Sequence, residues 1–351
     1  MSDDPTKPFN EQTLQLIQDT HPIDGPITLE KVGRRFSIKK DPEYWKNFEE
    51  QRASDGIGTK GKLHWQMRTF SYGTQDAAAM VFDDLIEGGF TPYEMQNHII
   101  VQEEDREAIY SIVKSLRDIC LKYRWKVDEN NYNPVIISGG ETAISNTIEG
   151  MEIGICATGK VKKGKKIFPN PREGDVLIGL KSSGLHSNGF KFVRKLIFDD
   201  LKLELESELD HGATVGEELT KPTTIYLPAI KNLLDESREY VDGLVHITGG
   251  AFTKLKELTR GLFNIIIEKN HQLQPQPIFK FIYERGKVSD EEMYMRFNDG
   301  IGYGILVDRY IINDALDILE KHHEADIIGY VKKGEGQVKI KSQFSDKTII
   351  F

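Results

Sequence analysis

The sequence predicts two α/β domains built of mixed sheets packed with helices, and three observations carry that expectation. Short apolar runs suited to buried strands alternate with amphipathic segments suited to helices in both halves of the chain. A stretch from Pro169 to Gly174, with Asn170 and Pro171 inside it, breaks any regular element near the middle. The length, 351 residues, is enough for two ordinary domains with a core each. The expected division is residues 1–170 and 171–351.

In chain order, Met1–Asn10 is polar and carries no basic-then-apolar secretion signal. A short helix over Thr13–Asp19 and an entering strand over Asn47–Ser54 follow. Ser71–Gly88 reads as a helix, with apolar residues recurring at three and four. Glu103–Trp125 is the clearest helix, because Ile109, Ile112, Val113, Leu116, Ile119 and Cys120 share one face. Pro134–Ser138 is a short buried strand ending in Gly139 and Gly140, and Glu152–Val161 is a strand followed by a turn of lysines. Beyond the break come a strand, Asp175–Lys181, and helices over Asn188–Phe198 and Thr223–Leu234. Strands Phe263–Glu268 and Ile301–Val307 and a helix, Ile312–His322, complete the reading; no short-period repeat is visible.

Composition narrows the function classes. Hydrophobic residues at 38% and charged residues at 29% fit a globular chain. A net charge of -9 speaks against a nucleic-acid binder, which needs clustered cations. The one basic run, Lys160–Lys166, reads as a solvated hairpin. No stretch approaches the ~20 apolar residues of a membrane span. Cys120 and Cys156 have no metal or redox spacing and read as two buried thiols of a reducing, cytoplasmic compartment.

Two glycine-rich stretches imitate known motifs. Gly56–Gly61 has the letters of a dinucleotide fingerprint, but Glu49–Arg52 before it is no hydrophobic strand. Gly159–Lys165 has the spacing of a phosphate loop, but Lys166 stands where a hydroxyl should bind magnesium. Four other segments carry chemistry. Asp55-Gly56-Ile57-Gly58-Thr59-Lys60 joins a carboxylate, two glycines and a lysine, suited to magnesium and phosphate. Asp83 and Asp84 close an apolar helix, where adjacent carboxylates are poor core residues. Glu141, after Gly139 and Gly140, stands at a strand's carboxyl end, where open α/β sheets place ligands. Asp55, Asp84 and Glu141 could together bind two or more magnesium ions bridging ATP phosphates, the plainer readings being a polar turn at Asp55 and a solvated helix end at Asp84.

The second half offers His186 and Asn188 in Ser182–Gly189, between a strand and a helix that Ser187 or Asn188 can cap. It also offers His246, Thr248, Gly249 and Gly250 at a turn before another helix, whose free amides favour an anion.

Taken in order, DGIGTK (Asp55–Lys60), DLIEGGFTP (Asp84–Pro92), GGETA (Gly139–Ala143), SGLHSNGFKFVRK (Ser183–Lys195), PTTIY (Pro222–Tyr226), HITGG (His246–Gly250) and FNDGIG (Phe297–Gly302) resemble the aminoimidazole ribonucleotide synthetase, or phosphoribosylformylglycinamidine cyclo-ligase, family. The resemblance implies a two-domain fold whose amino-terminal halves pair into a homodimer, with ATP and magnesium in a cleft near the pairing surface. It implies a small ribonucleotide substrate whose formyl oxygen ATP activates before ring closure. Carried over, Lys60 meets the ATP phosphates; Asp55, Gly56, Gly58 and Thr59 form the nucleotide turn. His186 and Asn188 approach the reacting centre, with His186 the candidate for proton transfer. His246, Thr248, Gly249 and Gly250 lie by ATP or the substrate's ribose phosphate.

The chain departs from the family pattern at Asp83, at Ile144-Ser145-Asn146, at Ala251 and at Asp299, and Asp41–Ser54 is charged and aromatic where the family has a glycine-rich segment. Two rival readings follow: a related small-molecule kinase or synthetase of the same superfamily, and a relative that binds nucleotide without turnover.

Overall fold

A computed structural model describes residues 11–22, 24–32 and 35–351; the reading of Met1–Asn10 lies outside the described residues. The chain divides into two compact units, residues 1–166 and 167–351.

In the first unit, α1 (Glu11–Gln18) precedes a hairpin of β1 (Ile27–Val32) and β2 (Arg35–Lys40), then α2 (Pro42–Trp45) and β3 (Phe48–Gly56). After β3 come α3 (Gly61–Gln66), α4 (Phe70–Glu87), β4 (Thr91–Val101) and α5 (Arg106–Lys122). A small pair, β5 (Trp125–Lys126) with β6 (Tyr132–Asn133), leads to β7 (Ile136–Ile144) and β8 (Met151–Lys162). The main sheet has the order β3-β8-β4-β7, with only β4 and β7 parallel. α4 packs on β3, β4 and β8, and α5 packs on α4.

α5 begins where Asp105 accepts a bond from the Ala108 amide at 2.9 Å, three residues later than expected; its predicted apolar face is buried as read. β7 runs on through Gly139, Gly140 and Glu141 instead of ending at Ser138, because β4 offers a parallel partner as far as Val101.

In the second unit, β9 (Val176–Lys181), α6 (Phe190–Arg194), α7 (Val215–Leu219), α8 (Leu227–Ser237) and β10 (Val241–His246) are followed by α9 (Lys256–Thr259) and β11 (Phe263–Ile267). Then come α10 (Pro277–Gly286), α11 (Asp290–Arg296), β12 (Ile301–Val307), α12 (Ile312–Leu319), β13 (Ala325–Lys333), β14 (Val338–Lys341) and β15 (Thr348–Ile350). One mixed sheet orders them β10-β12-β9-β13-β11-β14-β15. β12 is buried along its whole length, which is why its sequence is a continuous apolar run with no alternation. Leu177, Val245, Phe252, Ile265, Tyr294 and Ile328 form part of the core on one face.

The expected helix over Asn188–Phe198 is α6 followed by a wider π-helical segment, Lys195–Asp200. The helix expected from Thr223 starts at Leu227, with Pro228 in its first turn. Among the described residues no helix is long and apolar enough to cross a membrane.

Three expectations about single residues are corrected. Cys120 is buried but Cys156 is exposed, since it stands on the face of β8 away from α4. Lys160 belongs to β8 and is 5% exposed, so only the lysines after it form the solvated turn. Asp83 is fully buried inside α4 while Asp84 is half-buried.

Candidate active site

In the first unit the Asp55–Lys60 turn links the end of β3 to α3. Gly58 adopts φ +54, in the left-handed region that favours glycine. Oδ1 of Asp55 accepts the Gly56 amide at 2.7 Å, and Oε1 of Glu152 on β8 accepts the Gly58 amide at 3.3 Å. Burial pushes the Glu152 carboxyl up; the Gly58 amide opposes this and the charge of Asp55 adds to it. Gly56, Gly58 and Thr59 are at least partly open to solvent, whereas Lys60 is 1% exposed. Its ammonium lies 2.8 Å from Oδ2 and 3.0 Å from Oδ1 of Asp76, a residue of α4 that sequence reasoning passed over. A single aspartate in an apolar helix gave no sign of that partnership.

Strand register decides which acids can meet. Asp55 pairs with Ile155, which pairs with Asn97, which pairs with Gly140. Glu141 is therefore one row on and three strands away from Asp55, about 14 Å at the usual strand spacing. Successive residues point to opposite faces, so Asp55 lies on the face of buried Ile155 and Glu141 on the face of exposed Cys156. Asp84 rides on α4, which packs on β3 and β8. Asp55 and Asp84 thus belong to one side of the sheet and Glu141 to the other. All three are oxygen donors of the kind magnesium takes, but they do not gather around one ion.

Among the described residues the three carboxylates that do gather, with oxygens within 4.8 Å of one another, are Asp175, Asp242 and Asp308. Arg172 answers them, its guanidinium 3.6 Å from Asp242 and 3.4 Å from Asp308 and its amide donating to Asp175 at 2.7 Å. Burial, with the charges of Asp242 and Asp308, raises Asp175 to about 6. The cluster stands at the opposite end of β9 and β10 from the histidines, about 20 Å along β9 from Asp175 to Lys181 and about 13 Å along β10 from Asp242 to His246.

The second unit assembles its motif residues at the other end of that sheet. His186 is 1% exposed, in left-handed backbone at φ 57, and its Nε2 accepts the Ser183 amide at 3.2 Å. The imidazole therefore braces its own loop. Neither Ser187 nor Asn188 caps α6: the cap is Gly189 at φ 72, and Ser187 instead shares a 3.0 Å hydroxyl bond with Thr223. Ser183 donates to the Pro222 carbonyl at 2.6 Å, which ties the PTTIY segment to the same loop. Asn298 finishes the stitching, accepting from the Ser182 hydroxyl at 2.8 Å and donating to the Gly184 carbonyl at 2.8 Å.

Tyr226 joins the two histidines. Its ring centre is 6.1 Å from that of His186 and 6.3 Å from that of His246, and its hydroxyl donates to the Lys181 carbonyl at 2.8 Å. His246 is fully buried and stacks on Tyr303 at 5.8 Å. Gly302 permits this, because a Cβ there would lie 2.0 Å from the Tyr226 hydroxyl and 2.7 Å from His186 Cε1. At the HITGG turn, Lys254 donates to the Thr248 hydroxyl at 2.6 Å and to the His246 carbonyl at 3.2 Å; this cation was missed, and its place one helical turn beyond Gly250 was the available signal. Asn188 stands next to Gly249, and its Nδ2 is buried without a protein partner. The segments that follow the two turns are short, a five-residue 3-10 helix over Ala251–Leu255 and the five residues of α6, so the loops' side chains rather than helix termini define the site.

A family model described as "AIR synthase related protein, C-terminal domain" matches residues 172–341. The phosphoribosylformylglycinamidine cyclo-ligase of Methanococcus maripaludis (strain C5) is 36% identical over 307 residues, 85% of this chain and 81% of that protein. That of Bacillus subtilis is 35% identical over 295 residues, 81% of this chain and 80% of its own length. Among solved structures, hydrogenase maturation protein HypE in complex with ATP superposes with a TM-score of 0.59 at 14% identity, covering 86% of this chain and 84% of that one, a likeness of fold.

Proposed function

The chain belongs to the phosphoribosylformylglycinamidine cyclo-ligase family, and on that premise we propose that it is an ATP-dependent cyclo-ligase that closes the imidazole ring of aminoimidazole ribonucleotide from formylglycinamidine ribonucleotide, a step of purine synthesis. The observation that carries the reading is the identity of about one residue in three along 85% of the chain to cyclo-ligases. The gathering of SGLHSNG, PTTIY, HITGG and FNDGIG residues around Tyr226 supports it.

ATP phosphorylates the formyl oxygen, the amidine nitrogen attacks the activated carbon, and phosphate leaves as the ring closes. Such a reaction asks the protein for positioning and charge rather than for covalent chemistry. The open turn Gly56–Thr59 takes the ATP phosphates, with the Lys60 charge beneath it. Asp55 and Asp84 would hold magnesium, which when bound neutralises phosphate oxygens; Glu141, on the other face, would hold a separate ion. His186 and Asn188 contact the reacting group, with the His186 imidazole the candidate for proton transfer. His246, Thr248, Gly249 and Gly250, with Lys254, take the ribose phosphate or ATP. The same reading makes the protein a cytoplasmic homodimer paired through its amino-terminal units, on the strength of family membership.

The test is phosphate release from ATP and magnesium with and without formylglycinamidine ribonucleotide. Release that depends on the ribonucleotide, with aminoimidazole product, is expected. Its absence in a folded protein that binds ATP overturns the reading.

A further inference from the structure

Beneath the Asp55–Lys60 turn lies a buried ionic trio that the mechanism above does not use. Asp76 accepts from the Lys60 ammonium at 2.8 and 3.0 Å, and from His64 Nε2 at 2.7 Å. All three side chains are 0–1% exposed. Nδ1 of His64 meets the Thr69 hydroxyl at 2.8 Å. Since a carboxylate only accepts, Nε2 carries the proton toward Asp76 and Nδ1 accepts from Thr69. Burial lowers the imidazole's affinity for a second proton, against the opposing pull of the Asp76 carboxylate. Burial on its own raises Asp76, but Lys60 and His64 outweigh it and hold the carboxyl at about 2.

The local sequence builds the trio. Lys60 ends a short turn of helix, Gly58–Lys60, that runs directly into α3, so Lys60 and His64 are one turn apart on one face. Asp76 comes from the second turn of α4. Gly73, one turn before it, clears the approach: a Cβ there would stand 3.2 Å from His64 Cδ2 and 2.5 Å from Met151 Cε.

A buried ion pair is poor value for stability alone, because apolar residues of like volume commonly serve as well or better. The trio's distinctive effect is on place. Lys60 and Ile57 are the two buried side chains of the turn, and only Lys60 is tied down by charge. We propose that Asp76 and His64 are positioning residues for nucleotide binding: through Lys60 they fix the Gly56–Thr59 turn in the place where a nucleoside triphosphate's phosphates approach. The proposal rests on the reading of that turn as the nucleotide site.

The experiment compares wild type with Asp76→Asn, His64→Leu and His64→Gln. It reads the Kd of a non-hydrolysable ATP analogue with magnesium, the KM for ATP, the KM for the ribonucleotide, and the melting temperature. Asp76→Asn and His64→Leu are expected to raise the analogue Kd and the ATP KM about tenfold or more, with the ribonucleotide KM unchanged. His64→Gln, whose amide can still donate to Asp76, is expected to bind the analogue within about twofold of wild type. Variants that melt lower but bind the analogue as wild type does overturn the proposal, and the trio is then structural. If Asp76→Asn does not fold, the contrast between the two His64 variants decides. A wild type that binds the analogue without turning over the ribonucleotide sinks the cyclo-ligase reading and leaves this one to be read from Kd. A wild type that does not bind the analogue overturns both.

Discussion

The carboxylate of Glu152 accepts the backbone amide of Gly58 at 3.3 Å, so β8 reaches across to hold the turn that follows β3. A Cβ at Gly56 would lie 2.6 Å from Glu152 Oε1 and 3.2 Å from the Ile153 carbonyl, so a larger residue there would displace the Glu152 carboxylate. Asp55 adds its charge to the rise in the Glu152 pKa, so two acids share one neighbourhood. If a cation bound by Asp55 relieves that crowding, Glu152→Gln should raise the magnesium concentration for half-maximal turnover by about tenfold, the usual scale for groups that orient a metal ligand. A magnesium titration of phosphate release checks this. An unchanged midpoint would limit Glu152 to bracing the turn.

Gly302 controls the fit of Tyr226 between His186 and His246. A methyl group at Gly302 meets the hydroxyl of the buried Tyr226 at 2.0 Å and His186 at 2.7 Å, so one or both rings must shift. Gly302→Ala should lower stability by about 1–3 kcal/mol, the range of overpacked cores. It should also cut kcat more than tenfold by moving His186, if that imidazole works at the reacting centre. Gly304→Ala, whose nearest contact is the Val245 Cγ1 methyl at 2.9 Å, serves as the milder control on the same strand. Denaturant melts and steady-state kinetics of the two variants separate packing from catalysis.

How much of this was legible depended on whether the signal was local. The apolar face of α5 and the continuous run of β12 came through because burial of one face or of a whole strand is written in adjacent residues. The motif loops were visible as glycine-rich turns, and the likeness to cyclo-ligases gave them a shared purpose. Asp76 and Glu152 were not legible, since each acts on the Asp55–Lys60 turn from another element, 16 and 94 residues away from the atoms they bond. The opposite facing of Asp55 and Glu141 needed the register of four strands, which no single segment encodes. His186 was visible only as a candidate for chemistry, whereas it both braces its loop and stands beside Tyr226.

Asp299 is 2% exposed, and both of its carboxyl oxygens are buried without a hydrogen-bond partner. Burial pushes its pKa well above the usual carboxylate range. The folded state therefore keeps a proton that the unfolded chain releases near pH 4. Stability from this group is fully present below that pH and declines as pH rises toward the folded pKa. Asp299→Asn suits the left-handed backbone at φ 44 and has nothing to titrate. Wild type should lose melting temperature from pH 5 to pH 8 more steeply than the variant. Parallel curves would mean that Asp299 finds a partner in solution.

Lys160 gives a prediction in which two physical effects oppose each other. Its ammonium lies 4.0 Å from the Trp125 ring centre, 4.4 Å from Phe48, 4.6 Å from Tyr44 and 5.2 Å from Trp45. It also donates to the Tyr44 hydroxyl at 2.5 Å and to the Lys126 carbonyl at 3.2 Å. Burial first, then the charge of Lys162, pulls its pKa down to about 7, while ring faces favour the cation and pull it back. If burial wins, the folded state sheds a proton that the unfolded chain keeps to about pH 10. Folded stability then climbs as pH rises from about 7, and Lys160→Met, which never carries that charge, loses the climb. If the rings win, wild type and variant run parallel to pH 9 and the variant is the less stable by about 1–2 kcal/mol at every pH. We expect the first outcome, because four rings offer attraction of that modest size against the loss of most of an ammonium's hydration. Melting temperatures of both proteins from pH 6 to pH 9 decide it, and a flat wild-type curve would show that the aromatic cage holds the charge.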